Sequence, residues 1–126
     1  MLPLLRSKPR VLVLDDDAAI RKIVTLVLRR AGYRVEVVTK GNDAIRAIES
    51  ADHYAAILLD LMMPHEGGMT VMKHLRKSNP ALLKRVILLT AAPDPVLRTM
   101  RKDVFAVVKK PFEAAVLTAA VEKLAK

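Results

Sequence analysis

Short apolar runs recur along the chain with amphipathic stretches between them, and this alternation constrains the fold more than any other feature. Near-continuous runs lie at 11–14, 55–59, 86–89 and 104–108, and Arg34 to Val38 forms another with one acidic residue inside it. Runs without polar alternation suit strands covered on both faces, as in a parallel sheet. Between them the periodicity turns helical. Ile20, Ile23, Val24, Val27 and Ala31 follow i, i+3, i+4 spacing and predict a first helix that Gly32 stops. Gly41-Asn42 precedes a second helix with Ala44, Ile45 and Ile48 inward, and Met69, Met72 and Leu75 mark a third that closes near Asn79-Pro80. A short fourth begins near Asp94-Pro95, where proline suits a first helical turn. The fifth runs from Glu113 to about Leu124, with Leu117, Ala120, Val121 and Leu124 on one face. The order βαβαβαβαβα with right-handed crossovers predicts an α/β, doubly wound parallel sheet.

The chain has 126 residues, enough for one domain with a single core. Residues 1–9 read as a short N-terminal extension and 10–126 as the domain. Lys126 falls about where the fifth helix should end, so no output domain is expected to follow. Aromatic residues are only 3% of the chain, so the core must be aliphatic. The absence of cysteine excludes disulfides, thiol catalysis and thiolate metal sites. No apolar stretch approaches the ~20 residues needed to span a bilayer, and the N-terminus lacks the order of a signal peptide. A cytoplasmic protein with no membrane partner is the expectation.

Net charge is +9. The basic residues are spread over several helices with no aromatics interleaved for base stacking, so specific nucleic-acid reading has poor support. No Gly-rich phosphate loop is present, which argues against a dinucleotide fold or a P-loop enzyme. His53, His65 and His74 are scattered singly and follow no metal-ligand spacing.

In an open parallel sheet, sites form outside the carboxyl ends of the strands. At those ends stand Asp15 and Asp16, Asp60, Thr90 and Lys110. Three carboxylates, a hydroxyl and an ammonium suit a hard divalent cation and a phosphoryl group. Mg²⁺ takes oxygen ligands, often one or two carboxylates with waters and phosphate oxygens. Carboxylates crowded without a counter-charge repel one another, which Lys110 and Mg²⁺ would offset. Asp17 reads instead as the cap of the first helix.

The chain resembles the receiver domain of two-component response regulators. The resemblance rests on Asp15-Asp16, on Asp60-Leu61-Met62-Met63-Pro64 with Gly68 after it, on Thr90 before small Ala91, and on Lys110-Pro111-Phe112. It runs from about Arg10 to the C-terminus. It implies a flavodoxin-like strand order 2-1-3-4-5. It implies Asp60 as the acceptor of a phosphoryl group, Thr90 as its sensor and Lys110 as its cationic partner. Asp15, Asp16, Asp60 and the backbone carbonyl of Met62 would be the metal ligands. The resemblance also implies a cis Lys110–Pro111 bond, whereas the bare sequence favours trans.

The implied activity is acceptance of a phosphoryl group from a phosphohistidine donor onto Asp60, with Mg²⁺. Such a chain catalyses its own phosphorylation and dephosphorylation and is not a turnover enzyme on an external substrate. Its partners would be a histidine kinase or histidine phosphotransfer protein, for which Lys22, Leu26 and Arg29 offer a docking face, and a downstream protein. A homodimer through the fourth helix, fifth strand and fifth helix is a further expectation, since Ala115, Val116 and Ala119 are not needed for the inward stripe. The sequence departs from the family at Val107, where an aromatic residue is common, at Glu66, where Met is common, and in the short Thr90-to-Lys110 interval. Two alternatives follow: a constitutive interaction module that keeps the fold without phosphorylation, and, resting on charge alone, a basic nucleic-acid adaptor.

Overall fold

The computed structural model describes residues 8–50, 53–64 and 67–125. Most of the expected N-terminal extension, His65 and Glu66 lie outside the described residues. Five strands, β1 (Arg10–Leu14), β2 (Arg34–Val38), β3 (Ala56–Leu59), β4 (Val86–Thr90) and β5 (Ala106–Lys109), alternate with α1 (Ala18–Arg30), α2 (Gly41–Ser50), α3 (Gly68–Ser78), α4 (Asp94–Arg98) and α5 (Ala114–Ala125). A 3-10 turn over Pro80–Arg85, which the sequence pattern did not indicate, joins α3 to β4. The strands form one parallel sheet in the order β2-β1-β3-β4-β5, as expected.

The apolar runs are strands because each feeds two cores at once. Leu12, Leu14, Ile57, Leu59 and Leu88 face the side covered by α2 and α3, while Val11, Val13, Leu58, Ile87 and Leu89 face the side covered by α1 and α5. With alternate side chains on opposite faces, polar residues in the three central strands are confined to their ends, at Arg10 and Thr90. The two edge strands are less covered, and β2 has the pattern of a half-exposed strand.

Three sequence expectations need correction. Ile23 is 48% exposed and Ala31, the C-cap of α1, is exposed as well; the inward stripe is Ile20, Val24, Val27 and Leu28. Met69 is exposed on α3, where Val71 is buried instead. Strand β5 starts at Ala106, two residues later than the apolar run. Val104 is buried beneath it, and Phe105 donates its backbone N–H to the Val86 carbonyl (2.9 Å).

Helix α1 carries signals legible in the sequence at both ends. Asp17 Oδ1 accepts from the N–H groups of Ala19 (2.8 Å) and Ile20 (3.3 Å). At the other end Gly32 takes φ +100°, which a side chain resists. Gly32 N–H then donates to Arg29 and Tyr33 N–H to Leu28, both at 3.0 Å, closing a Schellman turn. The turn delivers Tyr33 to the core beside Leu28.

At the amino ends of the strands, Arg10, Glu36 and Tyr54 form a charged knot. Arg10 Nε donates to Glu36 Oε2 (2.7 Å), Tyr54 OH donates to Glu36 Oε1 (2.9 Å), and the guanidinium lies 4.9 Å from the Tyr54 ring centroid. Burial, then the Glu36 carboxylate, pushes the Tyr54 phenol up to about 12. The phenol is therefore held neutral more strongly in the folded chain than in the unfolded one. Stability from this source is fully present below the unfolded value near 10 and is lost as pH rises toward 12. Denaturant melts across pH 9–12 should show wild type losing stability relative to Tyr54→Phe above about pH 10; parallel curves would refute the assignment.

Candidate functional site

The carboxyl ends of β1, β3, β4 and β5 meet at one edge of the sheet, and the chain's polar strand-end residues meet with them. Asp15 is 1% exposed, Asp60 4% and Thr90 0%, whereas Asp16 reaches solvent. Backbone bonds hold the ends in place. Asp15 N–H donates to the Val38 carbonyl (3.3 Å), Asp60 N–H to Leu14 (3.1 Å) and Lys110 N–H to Thr90 (3.0 Å). The strand ladder thus continues one residue past β1, β3 and β5 and aims each functional side chain outward.

Lys110 bridges the two buried acids. Its Nζ donates to Asp15 Oδ2 at 2.6 Å and to Asp60 Oδ2 at 3.1 Å. Burial disfavours the charged ammonium, but its hydrogen bond to Asp15 and the charges of both carboxylates outweigh it, so the net shift of Lys110 is upward. Lys110 therefore stays protonated and the acids keep their counter-charge. The Lys110–Pro111 peptide is cis. Lys109, the neighbouring lysine, is engaged elsewhere, on Asp94 (2.8 Å).

The other polar contacts orient the acids. Asp60 Oδ1 accepts the N–H of Met62 (2.9 Å), which ties the loop after β3 back onto the carboxylate. Asp15 Oδ1 accepts the N–H of Asp17 (3.0 Å). Thr90 Oγ1 accepts the N–H of Ala92 (3.1 Å), leaving the hydroxyl proton available for another acceptor. Asp15, Asp16 and Asp60 each offer a carboxylate oxygen, and these atoms all lie within 4.8 Å of one another. A set of hard oxygen donors this close fits Mg²⁺, with Met62 next to it in the β3–α3 loop.

Two residues escaped the sequence reading. Arg21 Nη1 donates to the backbone carbonyl of Asp15 (3.0 Å), bracing the acidic pair from α1. Its only sequence signal was a position one turn past the Asp17 cap. Gly68 was singled out through the family resemblance, and its constraint is contact: its N–H donates to the Asp60 carbonyl (2.8 Å), and a Cβ there would overlap that oxygen and lie 2.9 Å from the carbonyl carbon. At the position where the family often has an aromatic residue, Val107 is half-buried and packs on the α2–α3 side, while Phe105 is 38% exposed.

Residues 11–122 match the family model of the response regulator receiver domain. The transcriptional regulatory protein GltR of Pseudomonas aeruginosa is 32% identical over 116 residues, covering 90% of this chain and 48% of GltR. The DNA-binding response regulator MtrA of Mycobacterium tuberculosis is 35% identical over 89 residues, covering 71% of this chain and 37% of MtrA. Among solved structures, the response regulator TrrA of Thermotoga maritima in complex with Mg²⁺-BeF superposes with a TM-score of 0.80 at 30% identity, over 92% of this chain and 98% of that one. The chain belongs to the response regulator receiver family, and so to two-component signalling. It spans less than half the length of these curated relatives.

Because the neighbour a Gly68 side chain would strike is backbone, it cannot rotate away. Gly68→Ala should cost about 1–3 kcal/mol of stability, read by urea denaturation. Gly67→Ala, whose Cβ would come to 2.8 Å from Met63 Cβ, an atom that side-chain rotation does not move, meets a milder overlap and should cost less, though not nothing. Equal small effects would show that the β3–α3 loop yields freely.

Proposed function

We propose that the chain is a phospho-accepting receiver that takes a phosphoryl group onto Asp60 and changes its partner binding in response. The observation that carries this reading is Lys110 Nζ bridging Asp15 and Asp60 inside a three-carboxylate cluster. Two buried acids held by one lysine are a weak structural device, since an apolar pair would stabilise the fold at least as well. They make sense where a cation and a transferred anion arrive.

In the proposed reaction a carboxylate oxygen of Asp60 attacks the phosphorus of a phosphohistidine donor. A P–O bond forms, the P–N bond breaks, and the electron pair leaves on the imidazole nitrogen, which gains a proton. Asp15, Asp16, Asp60 and the Met62 carbonyl would hold Mg²⁺, which when bound supplies positive charge against the developing phosphoryl charge. Lys110 would move its donation from Asp60 Oδ2 to a phosphoryl oxygen. The Thr90 hydroxyl would donate to another, drawing its backbone and the neighbouring N–H of Ala92 toward the site. Water attack on phosphorus later returns inorganic phosphate and the free carboxylate. The buried state of Asp60 and the flanking Met62 side chain, which is exposed, would set how easily that water enters.

Phosphorylation would bias two arrangements of the β4–α4 and β5 segments. Helix α4 has only five residues, is held through Asp94 to Lys109 and Arg101, and anchors in the core by one buried side chain, Leu97, so few contacts would oppose its shift. The exposed Ala115, Val116 and Ala119 on α5, with α4 and β5, would form a dimer or effector surface. A histidine kinase or histidine phosphotransfer protein would act as donor, and the names of the relatives support an output in gene control.

Intact mass after incubation with acetyl phosphate and Mg²⁺ tests the reading. Wild type should gain about 80 Da, the mass of one phosphoryl, and Asp60→Asn should gain nothing. An unmodified wild type, beside a labelled control receiver, would favour the constitutive interaction module.

A further inference from the structure

Helix α3 carries a basic stripe that neither the core nor the phosphoryl site uses. Lys73, Arg76 and Lys77 stand at i, i+3 and i+4, all exposed, and with His74 they line an open cavity of about 590 Å³. Two further cations reach this face from other segments. Arg76 pairs with Asp103 (3.5 Å), the residue after Lys102, and the Lys102 carbonyl accepts from Lys84 Nζ (2.7 Å). Lys84 belongs to the 3-10 turn that follows α3. Basic residues that are scattered along the chain are thus gathered by the fold, from α3, the 3-10 turn and the α4–β5 connection.

The acids beside them do not balance the charge. Asp103 is held by Arg76, and Glu49 by His74 (3.1 Å). Among the described residues, Lys73 and Lys77 pair with no acid. The helix dipole favours cations in the last turn of α3, which accounts for Arg76 and Lys77. It does not account for Lys84 and Lys102, and the like charges of Lys73 and Lys77, one turn apart, repel.

Such a surface fits a ligand with closely repeated negative charge. Its lack of apolar content decides which. A protein partner needs an apolar centre to its interface, and a lipid surface needs apolar side chains to insert. The large apolar side chains that are exposed lie on α1, β2, the β3–α3 loop, the first turn of α3, α4, α5 and at Phe105. Between Lys77 and Lys84 the exposed residues are Ser78, Asn79, Pro80 and Ala81. Hydroxyl and amide groups beside lysine and arginine suit phosphate oxygens. Residues 68–85 hold no Phe, Tyr or Trp on which unpaired bases could stack.

We infer that this face of α3 binds the phosphate backbone of double-helical nucleic acid without reading its sequence. Helix α3 starts at the phosphoryl site, where Gly68 N–H meets the Asp60 carbonyl, and runs away from it, so the cations stand at the far end. The inference does not rest on phosphoryl transfer to Asp60, and a duplex held there leaves the site open.

The test is fluorescence anisotropy at low salt with labelled duplexes of about 20 base pairs. Wild type should bind two unrelated DNA sequences within about twofold of each other, and log affinity should fall against log salt with a slope of about −4, as expected for four or five phosphates. Lys73→Glu and Lys77→Glu should each weaken binding about fivefold or more, with a shallower slope. Arg30→Glu, the same change of charge on α1 across the sheet, should weaken it less than about twofold. Circular dichroism checks the fold of each variant. An RNA duplex of the same length is run beside the DNA; binding of either supports the inference, and the tighter names the source. No binding of either by folded wild type overturns it. So does an equal loss in Arg30→Glu, which means bulk charge attraction. Displacement of the duplex by polyglutamate or by anionic vesicles at equal charge would assign the face to an acidic protein or a lipid surface and also overturn it.

Discussion

The bridge from Lys110 to Asp15 and Asp60 is the contact on which the site depends. Two carboxylates that are almost wholly buried cannot stay charged side by side without a cation, and one ammonium at 2.6 and 3.1 Å is what the chain supplies. That ammonium stands one residue past β5, and the acids one residue past β1 and β3, so the bridge crosses the sheet and fixes how the strand ends align. The β4–β5 step contributes as well, because Lys110 N–H donates to the Thr90 carbonyl. A lysine placed one residue earlier fails the role: Lys109 lies on the opposite side of the pleat and pairs with Asp94.

The loops around the site are arranged to keep the acids in position rather than to fill space. Met62 N–H on Asp60, Asp17 N–H on Asp15 and Ala92 N–H on Thr90 each use a backbone donor two residues downstream of the side chain it holds. Arg21 braces the Asp15 backbone carbonyl from α1 with its guanidinium, and Gly68 permits the β3–α3 loop to pass against the Asp60 carbonyl. These contacts lie in the loops and at the start of α1, outside the aliphatic sheet. The strands are tied separately, on the far side from the site, by Arg10, Glu36 and Tyr54.

Much of this was legible in the sequence, because continuous apolar runs leave a parallel sheet few alternatives and polar residues at their ends have one place to go. The strand order came from the family likeness, not from periodicity. The errors share a cause. Ile23 and Met69 satisfied a helical spacing but sit at the margin of the apolar stripe, where only the position of the neighbouring element decides burial. The early start assigned to β5 reflects the same ambiguity: Val104 is buried by packing under the sheet without pairing within it. Arg21 and the contact at Gly68 could not be read at all, since both are three-dimensional contacts with backbone atoms that sequence patterns do not encode.

In the proposed function, Lys110 and a divalent cation would serve the same pair of acids. Thermal unfolding of wild type and Lys110→Met, each in EDTA and in millimolar Mg²⁺, tests this most directly. The variant should lose about 3 kcal/mol in EDTA, and Mg²⁺ should stabilise it by more than it stabilises wild type. A variant as stable as wild type in EDTA, or one to which Mg²⁺ adds nothing, would contradict it.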